Sequence, residues 1–284
     1  MEKLDTGWQK GLFNSDLAIE RRRADPGEEG VALEREARGD FAWERIKIST
    51  IAGARSIGRP IGHYDTLTLP CLSEISEGEI YDGADEISRE LCRLFDKNGI
   101  FPERLLVVGL GNPDLTPDAI GPKAADMTVA TLHLKEICPE SFYDLECSEI
   151  AVFSPGVRSV SGIESGLIVK SVCERLRPDA VIAIDAIATS SRERLGRTVQ
   201  ISDTGIFPGS GLGLRETPLD KERLGTPVIA IGVPTVISSG SLTEGDKREK
   251  FDNMFFAPKD IDGIVKNAAR VIGYGINQAF GIFE

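Results

Sequence analysis

The 284-residue chain reads as an α/β protein, with one mostly parallel sheet in a three-layer arrangement and helices on both faces. Three observations carry that expectation. From about residue 100 onward, short runs of Leu, Val and Ile alternate with stretches of helical periodicity. The apolar runs are nearly continuous rather than alternating and are bounded by Gly, Pro and Asp, as suits strands buried on both faces. With 41% hydrophobic residues, a chain of this length can bury one sizeable core without being split in two.

Element by element, the first hundred residues are charged and broken by glycine, with a strand-like piece at Trp43–Ile48. A helical pattern follows from Gly83 to Phe95, placing Ile87, Leu91, Leu94 and Phe95 on one face. Leu105–Leu110 is a strand that leads through an Asn112-Pro-Asp114 turn into a helix beginning at Pro117 and Asp118, with its body from Ala124 to Leu134. A second helix, Glu164–Leu176, feeds the strand Ala180–Ile184, and further strands fall at Thr198–Ile201 and Val228–Ile231. Lys259–Ala279 closes the chain as a helix that turns Ile261, Ile264, Val265, Ala268, Val271 and Ile272 inward. Residues 17–284 are thus expected to form a single domain, irregular over 17–100 and a strand–helix core over 101–284.

Composition removes several function classes. A net charge of −12 opposes general nucleic-acid binding, and the basic clusters Arg21–Arg23 and Arg192/Arg194 lie among acids, as solvated faces or ion pairs do. No apolar run is long enough for a membrane span, and the amino terminus lacks a basic start with an apolar core, so an intracellular protein is expected. The five cysteines are odd in number and unpaired in spacing, which suits reduced thiols. Neither His63 nor His133 has a partner at metal-ligand spacing, so no metal or other cofactor is expected. Ser210 fails the nucleophile-elbow pattern, and Gly109-Leu-Gly111 would need its third glycine where Asp114 stands. There is no phosphate-cradling Gly-Lys-Ser/Thr sequence.

Two carboxylates remain. Asp118 and Asp185 each follow a buried strand, where open α/β sheets bind their ligands, and a proton-sharing pair there can activate water without a metal. As bland alternatives, either could cap a helix or solvate a loop. Asp203 and Asp114 are reserve acids. The glycine-rich stretch Asp203–Gly213, and within it Gly209, Ser210 and Gly211, could bring backbone amides close to a substrate or an oxyanion, or serve only as turns.

The blocks Val107-Val-Gly-Leu-Gly-Asn112, Leu115-Thr-Pro-Asp-Ala-Ile-Gly-Pro122, Phe153-Ser-Pro-Gly-Val157, Ser161-Gly-Ile-Glu164, Ile182-Ala-Ile-Asp-Ala186, Pro208-Gly-Ser-Gly211 and Pro227–Thr235, in this order, resemble the germination protease family of spore-forming bacteria. The resemblance implies an endopeptidase that degrades small acid-soluble spore proteins on germination, in the spore core, with Asp118 and Asp185 at the family's candidate catalytic positions and Gly209-Ser210-Gly211 as a possible substrate loop. It implies a fold similar to the hydrogenase maturation proteases. Those bind nickel through acids and a His that this chain does not match, so metal-independent chemistry is expected. It implies a tetramer. Ser15-Asp-Leu-Ala-Ile-Glu20 resembles the family's cleavage sequence, which implies a propeptide, residues 1–16, and a zymogen that cuts itself between Asp16 and Leu17. Many relatives carry a long insertion where this chain has only residues 240–253. Two alternatives stand beside this reading: a metal-assisted maturation peptidase of similar fold, and a catalytically silent module that binds spore proteins.

Overall fold

A computed structural model describes residues 15–21, 29–209, 216–238 and 254–282. Its strands are β1 (Val31–Arg38), β2 (Phe41–Ile48), β3 (Gly62–Thr68), β4 (Arg104–Gly109), β5 (Glu149–Phe153), β6 (Ala180–Thr189), β7 (Thr198–Ser202), β8 (Val228–Ser238) and β9 (Phe255–Phe256). The helices are α1 (Ala18–Arg21), α2 (Ile51–Ile57), α3 (Glu77–Lys97), α4 (Ile120–Asp126), α5 (Leu132–Ile137), α6 (Pro139–Asp144), α7 (Arg158–Ser161), α8 (Ser165–Leu176), α9 (Lys221–Leu224) and α10 (Ile261–Ala279), with a 3₁₀ turn at Thr116–Asp118.

The strands form one sheet in the order β1-β2-β3-β7-β8-β6-β4-β5, with β9 paired to β8. The α/β class is the expected one, but the sheet is mixed. The run β8-β6-β4-β5 is parallel, and β7, β3, β2 and β1 extend it antiparallel. Residues 17–100, expected to be irregular apart from a strand-like piece at Trp43–Ile48 and a helix, instead supply three of these strands, and the expected piece lies in β2. The signal of β1 was hidden because it carries charges on both faces, Glu34, Arg35, Glu36 and Arg38 among them, and it meets β2 through cross-strand ion pairs such as Arg45–Glu36 at 2.8 Å.

Side chains alternate between two cores. Leu105, Val107, Ile182, Ile184, Ile229 and Ile231 face α3, α4 and α10 on one side. Leu106, Val108, Val181 and Ala183 face α8 and α9 on the other. On that second side, Ala18 of α1 and Ile57 of α2 cover Ile46, Ile48 and Tyr64 of the antiparallel extension. Each fully buried aliphatic side chain contributes ~1.5–3 kcal/mol.

Four elements differ from expectation for identifiable reasons. α3 begins six residues before Gly83, because Ser76 and Glu79 form a reciprocal capping box. β6 and β8 run on past Ile184 and Ile231 because each still pairs with the other. The helix expected over Ala124–Leu134 stops at Asp126: Asn277 of α10 accepts the Val129 N–H at 2.9 Å and donates to the Met127 carbonyl at 3.1 Å, taking groups that a continuing helix would use. Among the described residues no helix is long and apolar enough to cross a membrane. All five cysteines are free thiols.

Candidate active site

Asp118 and Asp185 come together at the carboxyl ends of the parallel strands. Pairing between β4 and β6 ends at Gly109 and Ile184, while β6 continues against β8, so Asp185 is the first residue beyond the β4 edge. α4 covers one face of the sheet and α8 the other, and β4 lies between β5 and β6. A crevice at such a reversal of strand order is where open α/β sheets take ligands.

Two glycines let the chain turn there. Gly111 has φ +112°, and a Cβ on it would lie 2.0 Å from the Asp118 carbonyl oxygen. At Gly121, in the first turn of α4, a Cβ would meet the carbonyl oxygens of Leu110 and Ile184 at 2.1 and 2.5 Å. The helix therefore sits directly on the strand ends, and the 3₁₀ turn ahead of it holds Asp118 over them. Asp118 Oδ2 accepts the Asn112 N–H at 2.8 Å, and Asp185 Oδ1 accepts the Ala186 N–H at 2.9 Å.

Both acids line a cleft of about 480 Å³ with Leu110, Gly111, Val157, Arg158, Ser159, Ser165, Pro208, Gly209 and Glu216. Burial raises Asp118 above the usual carboxylate range against the Asn112 hydrogen bond, with Glu216 adding to the rise. Asp185, 4% exposed, is pushed well above its ordinary value by burial and then by the charge of Asp118, while the N–H groups of Ala186 and Gly209 oppose the shift. The cleft thus holds two acids that resist ionising together.

Gly209 of the expected substrate loop stands in this cleft with its N–H directed at Asp185; Ser210 and Gly211 lie outside the described residues, as do 240–253. Ile206 and Leu219 exchange two main-chain hydrogen bonds at 2.9 Å and tie the two arms of the glycine-rich segment together. That bridge helps to bring Glu216 to the site, where its Oε2 accepts the Ser165 hydroxyl at 2.7 Å. Sequence reasoning missed Glu216, Arg158 and Ser165. The signals were the Phe153–Val157 and Ser161–Glu164 blocks, which adjoin Arg158 and Ser165; Glu216 had none, since the bridge is a long-range contact. The reserve acids are used elsewhere. Asp203 accepts the His63 N–H at 2.7 Å and meets its Nδ1 at 2.8 Å, and Asp114 is an exposed turn residue. Neither lines the cleft, and His133 sits on α5 away from it.

The segment around Asp16 and Leu17 is docked and buried. Asp16 pairs with Ala188 of β6, its N–H donating to the carbonyl at 2.9 Å and its Oδ2 accepting the amide at 3.0 Å. Leu17 has no exposed surface, the Ala18 N–H donates to Gln200 at 2.8 Å, and Glu20 accepts hydrogen bonds from Thr189 and Ser190. The Asp16–Leu17 bond lies outside the cleft that holds Asp118 and Asp185.

Comparison with known proteins places this arrangement in a family. Residues 13–247 match the germination protease family model. The chain is 37% identical to a germination protease of Caldanaerobacter subterraneus subsp. tengcongensis, over 94% of each chain. It is 35% identical to one of Clostridium perfringens, over 93% of this chain and 94% of the relative, and 39% identical to one of Bacillus subtilis, over 84% and 67%. Among solved structures it is similar to a NiFe hydrogenase maturation protease of Thermococcus kodakarensis KOD1, with 19% identity, a TM-score of 0.39, and coverage of 66% of this chain and 99% of that one. The chain belongs to the germination protease family and is an endopeptidase of spore germination.

Proposed function

We propose that Asp118 and Asp185 are the catalytic pair of this peptidase, that they work without a metal, and that small acid-soluble spore proteins in the spore core are the substrates. The observation that carries the reading is the meeting of two buried acids, both shifted upward and one by the other's charge, in one open cleft at the strand ends. Asp185, the more strongly shifted, holds the proton, and Asp118 is the base. Water attacks the peptide carbonyl carbon as Asp118 takes its proton, and Asp185 passes its own proton to the carbonyl oxygen. Collapse of that intermediate breaks the C–N bond, returns a proton to Asp185 and delivers the one on Asp118 to the leaving nitrogen. The Gly209 amide, already directed at Asp185, helps to hold that acid in place.

The zymogen belongs to the same proposal: residues 1–16 are a propeptide released by cutting between Asp16 and Leu17. The docked Asp16–Glu20 segment supports it, because the cleavage-like sequence is held on the sheet face that carries Asp185. Assembly as a tetramer, implied by the family resemblance, is read by sedimentation of the processed protein. The test of the catalytic pair is cleavage of a small acid-soluble spore protein by wild type, Asp118→Asn and Asp185→Asn, each with and without chelator. Activity that survives chelation and falls by about 10²–10⁴-fold in both variants is the expected result. Loss of wild-type cleavage on chelation would replace the pair with a metal mechanism.

A further inference from the structure

Glu216 enters the cleft from a segment with little regular structure of its own, and several contacts fix it there. Its Oε2 accepts the hydroxyl of Ser165, the first residue of α8, at 2.7 Å, and that serine is buried. The next residue, Thr217, donates its hydroxyl to Glu164 at 2.7 Å. The main chain of Thr217 lies against the same helix: a Cβ on Gly166 would come within 2.6 Å of its carbonyl oxygen, so the missing side chain is what permits the approach. The Ile206–Leu219 bridge then closes the segment a few residues further on. A glutamate on an untethered loop would swing out into water. This one is anchored in the wall of the cleft that Asp118 and Asp185 also line.

The charges around it leave that carboxylate uncompensated. Among the described residues Arg158 is the cation of this cleft, and it is engaged by Glu164, its Nη1 donating to Oε1 at 3.0 Å while the other oxygen of Glu164 serves Thr217. The 3₁₀ turn brings Asp118 to the site and β6 brings Asp185. Three acids thus share one cleft, and among the described residues Glu216 bonds to a hydroxyl and to no cation. Its like charge opposes the ionisation of Asp118, adding to what burial does there, whereas Asp185 is raised by burial, by Asp118 and by Asp16. A base that holds its proton more firmly also draws one from water more strongly once it is ionised, so the charge helps the attack and costs activity at low pH. We propose that Glu216 is a positioning residue of the reaction, a third acid that acts through Asp118: its anchored negative charge strengthens the base and sets the pH at which activity begins. The proposal rests on Asp118 as the base of the catalytic pair.

The test is the pH dependence of kcat/KM for cleavage of one small acid-soluble spore protein by wild type and by Glu216→Gln. Glutamine keeps the shape and an acceptor for the Ser165 hydroxyl and removes only the charge, and a common substrate cancels its own titration. The acid limb is expected to move down by about half a pH unit or more, so that well below the wild-type limb the variant keeps about threefold more of its own plateau rate. The alkaline limb, set by Asp185, should stay in place, and the plateau should fall about threefold through kcat, with KM unchanged, because Asp118 has become a weaker base. Glu216→Asp, which retains the charge, should bring the acid limb back towards that of wild type. If Glu216→Gln does not fold, Glu216→Ala is read in the same way. An acid limb that stays where it was overturns the proposal. So does an even loss across the whole profile, which is what a loosened wall alone would produce, or a folded variant with no activity at any pH. Full activity in Asp118→Asn would remove the catalytic reading beneath the proposal, whereas an inactive Asp118→Asn beside an unmoved Glu216→Gln limb removes only the role of Glu216.

Discussion

The Thr235 hydroxyl donates to the carbonyl oxygen of Pro117 at 2.6 Å, from the point where β8 carries one residue more than its partner. Ile187 pairs with Pro234 and Ala188 with Val236, leaving Thr235 as the extra residue of a bulge. The bulge aims that side chain at the turn that carries Asp118. Thr235→Val keeps the shape and removes the donor, so kcat is expected to fall about tenfold or more with KM little changed, and Thr235→Ser should recover most of it. The orphaned carbonyl costs ~1–3 kcal/mol, measurable as a lower Tm. Unchanged kcat in Thr235→Val would show that the turn holds Asp118 without this contact.

The proposed catalytic pair should be visible in stability as well as in rate. An acid whose folded pKa is raised gives no relative penalty while the folded and unfolded chains are both protonated; as pH rises above the unfolded value, the unfolded chain ionises and the fold does not, so stability falls. Asp185→Asn is therefore expected to be inactive yet to unfold at a higher temperature than wild type near neutral pH, with the difference vanishing near pH ~4. The kcat/KM profile of wild type should be bell-shaped, the acid limb from protonation of Asp118 and the alkaline limb from loss of the Asp185 proton. A profile flat from mildly acidic to alkaline pH would contradict a shared proton.

Gly121→Ala should damage the site through packing alone. Its Cβ would lie 2.1 Å from one carbonyl oxygen and 2.5 Å from another, both main-chain atoms that cannot swing aside, so α4 must lift from the strand ends. A loss of several kcal/mol in stability, or a folded protein with greatly reduced kcat, is expected. Near wild-type values of both would mean that α4 is not seated against the strands as described.

A second pH effect belongs to the antiparallel half. Asp65 is fully buried and pushed up to about 8, by burial first and then by Glu90, although Arg93 bonds to it and Arg45 donates to Glu90 at 2.8 Å. With the folded pKa raised, stability contributed at low pH is lost between roughly pH 4 and the folded value. Asp65→Asn should thus raise Tm by several degrees at pH ~8 and much less at pH ~5, read by thermal unfolding at both. An equal change at the two values would show that the group does not titrate in that window.

Processing has its own test. Mass spectrometry after activation should find a new amino terminus at Leu17, with Asp118→Asn remaining full length. Leu17→Lys should prevent the cut, because the Leu17 side chain has no exposed surface and a lysine there would bury an unpaired cation. Cleavage of Asp118→Asn at the same bond by itself would detach processing from the catalytic pair.

The sequence by itself determined three of the four parallel strands, β4, β6 and β8, and their two acids; β5 was not read from it. Short, continuous Val, Ile and Leu runs such as Leu105–Val108 and Val181–Ile184 read as strands covered on both sides, and the glycine and aspartate directly after them mark where the chain leaves the sheet. That local logic was enough to place Asp118 and Asp185, and the ordered blocks were enough for the family. Tertiary structure decided what local pattern does not encode. β1 is a charged strand whose Glu36 is held by Arg45 of β2, itself paired with Glu90 of α3. Asn277, 150 residues away from Met127, ended a helix that periodicity alone would have continued. Glu216 reached the cleft with the help of the Ile206–Leu219 bridge, and Arg59 met Asp16 across 43 residues. Each of these depends on a side chain or main-chain group finding a partner far along the chain, and such pairing exists only once the sheet has assembled and excluded the water that would otherwise take the partner's place.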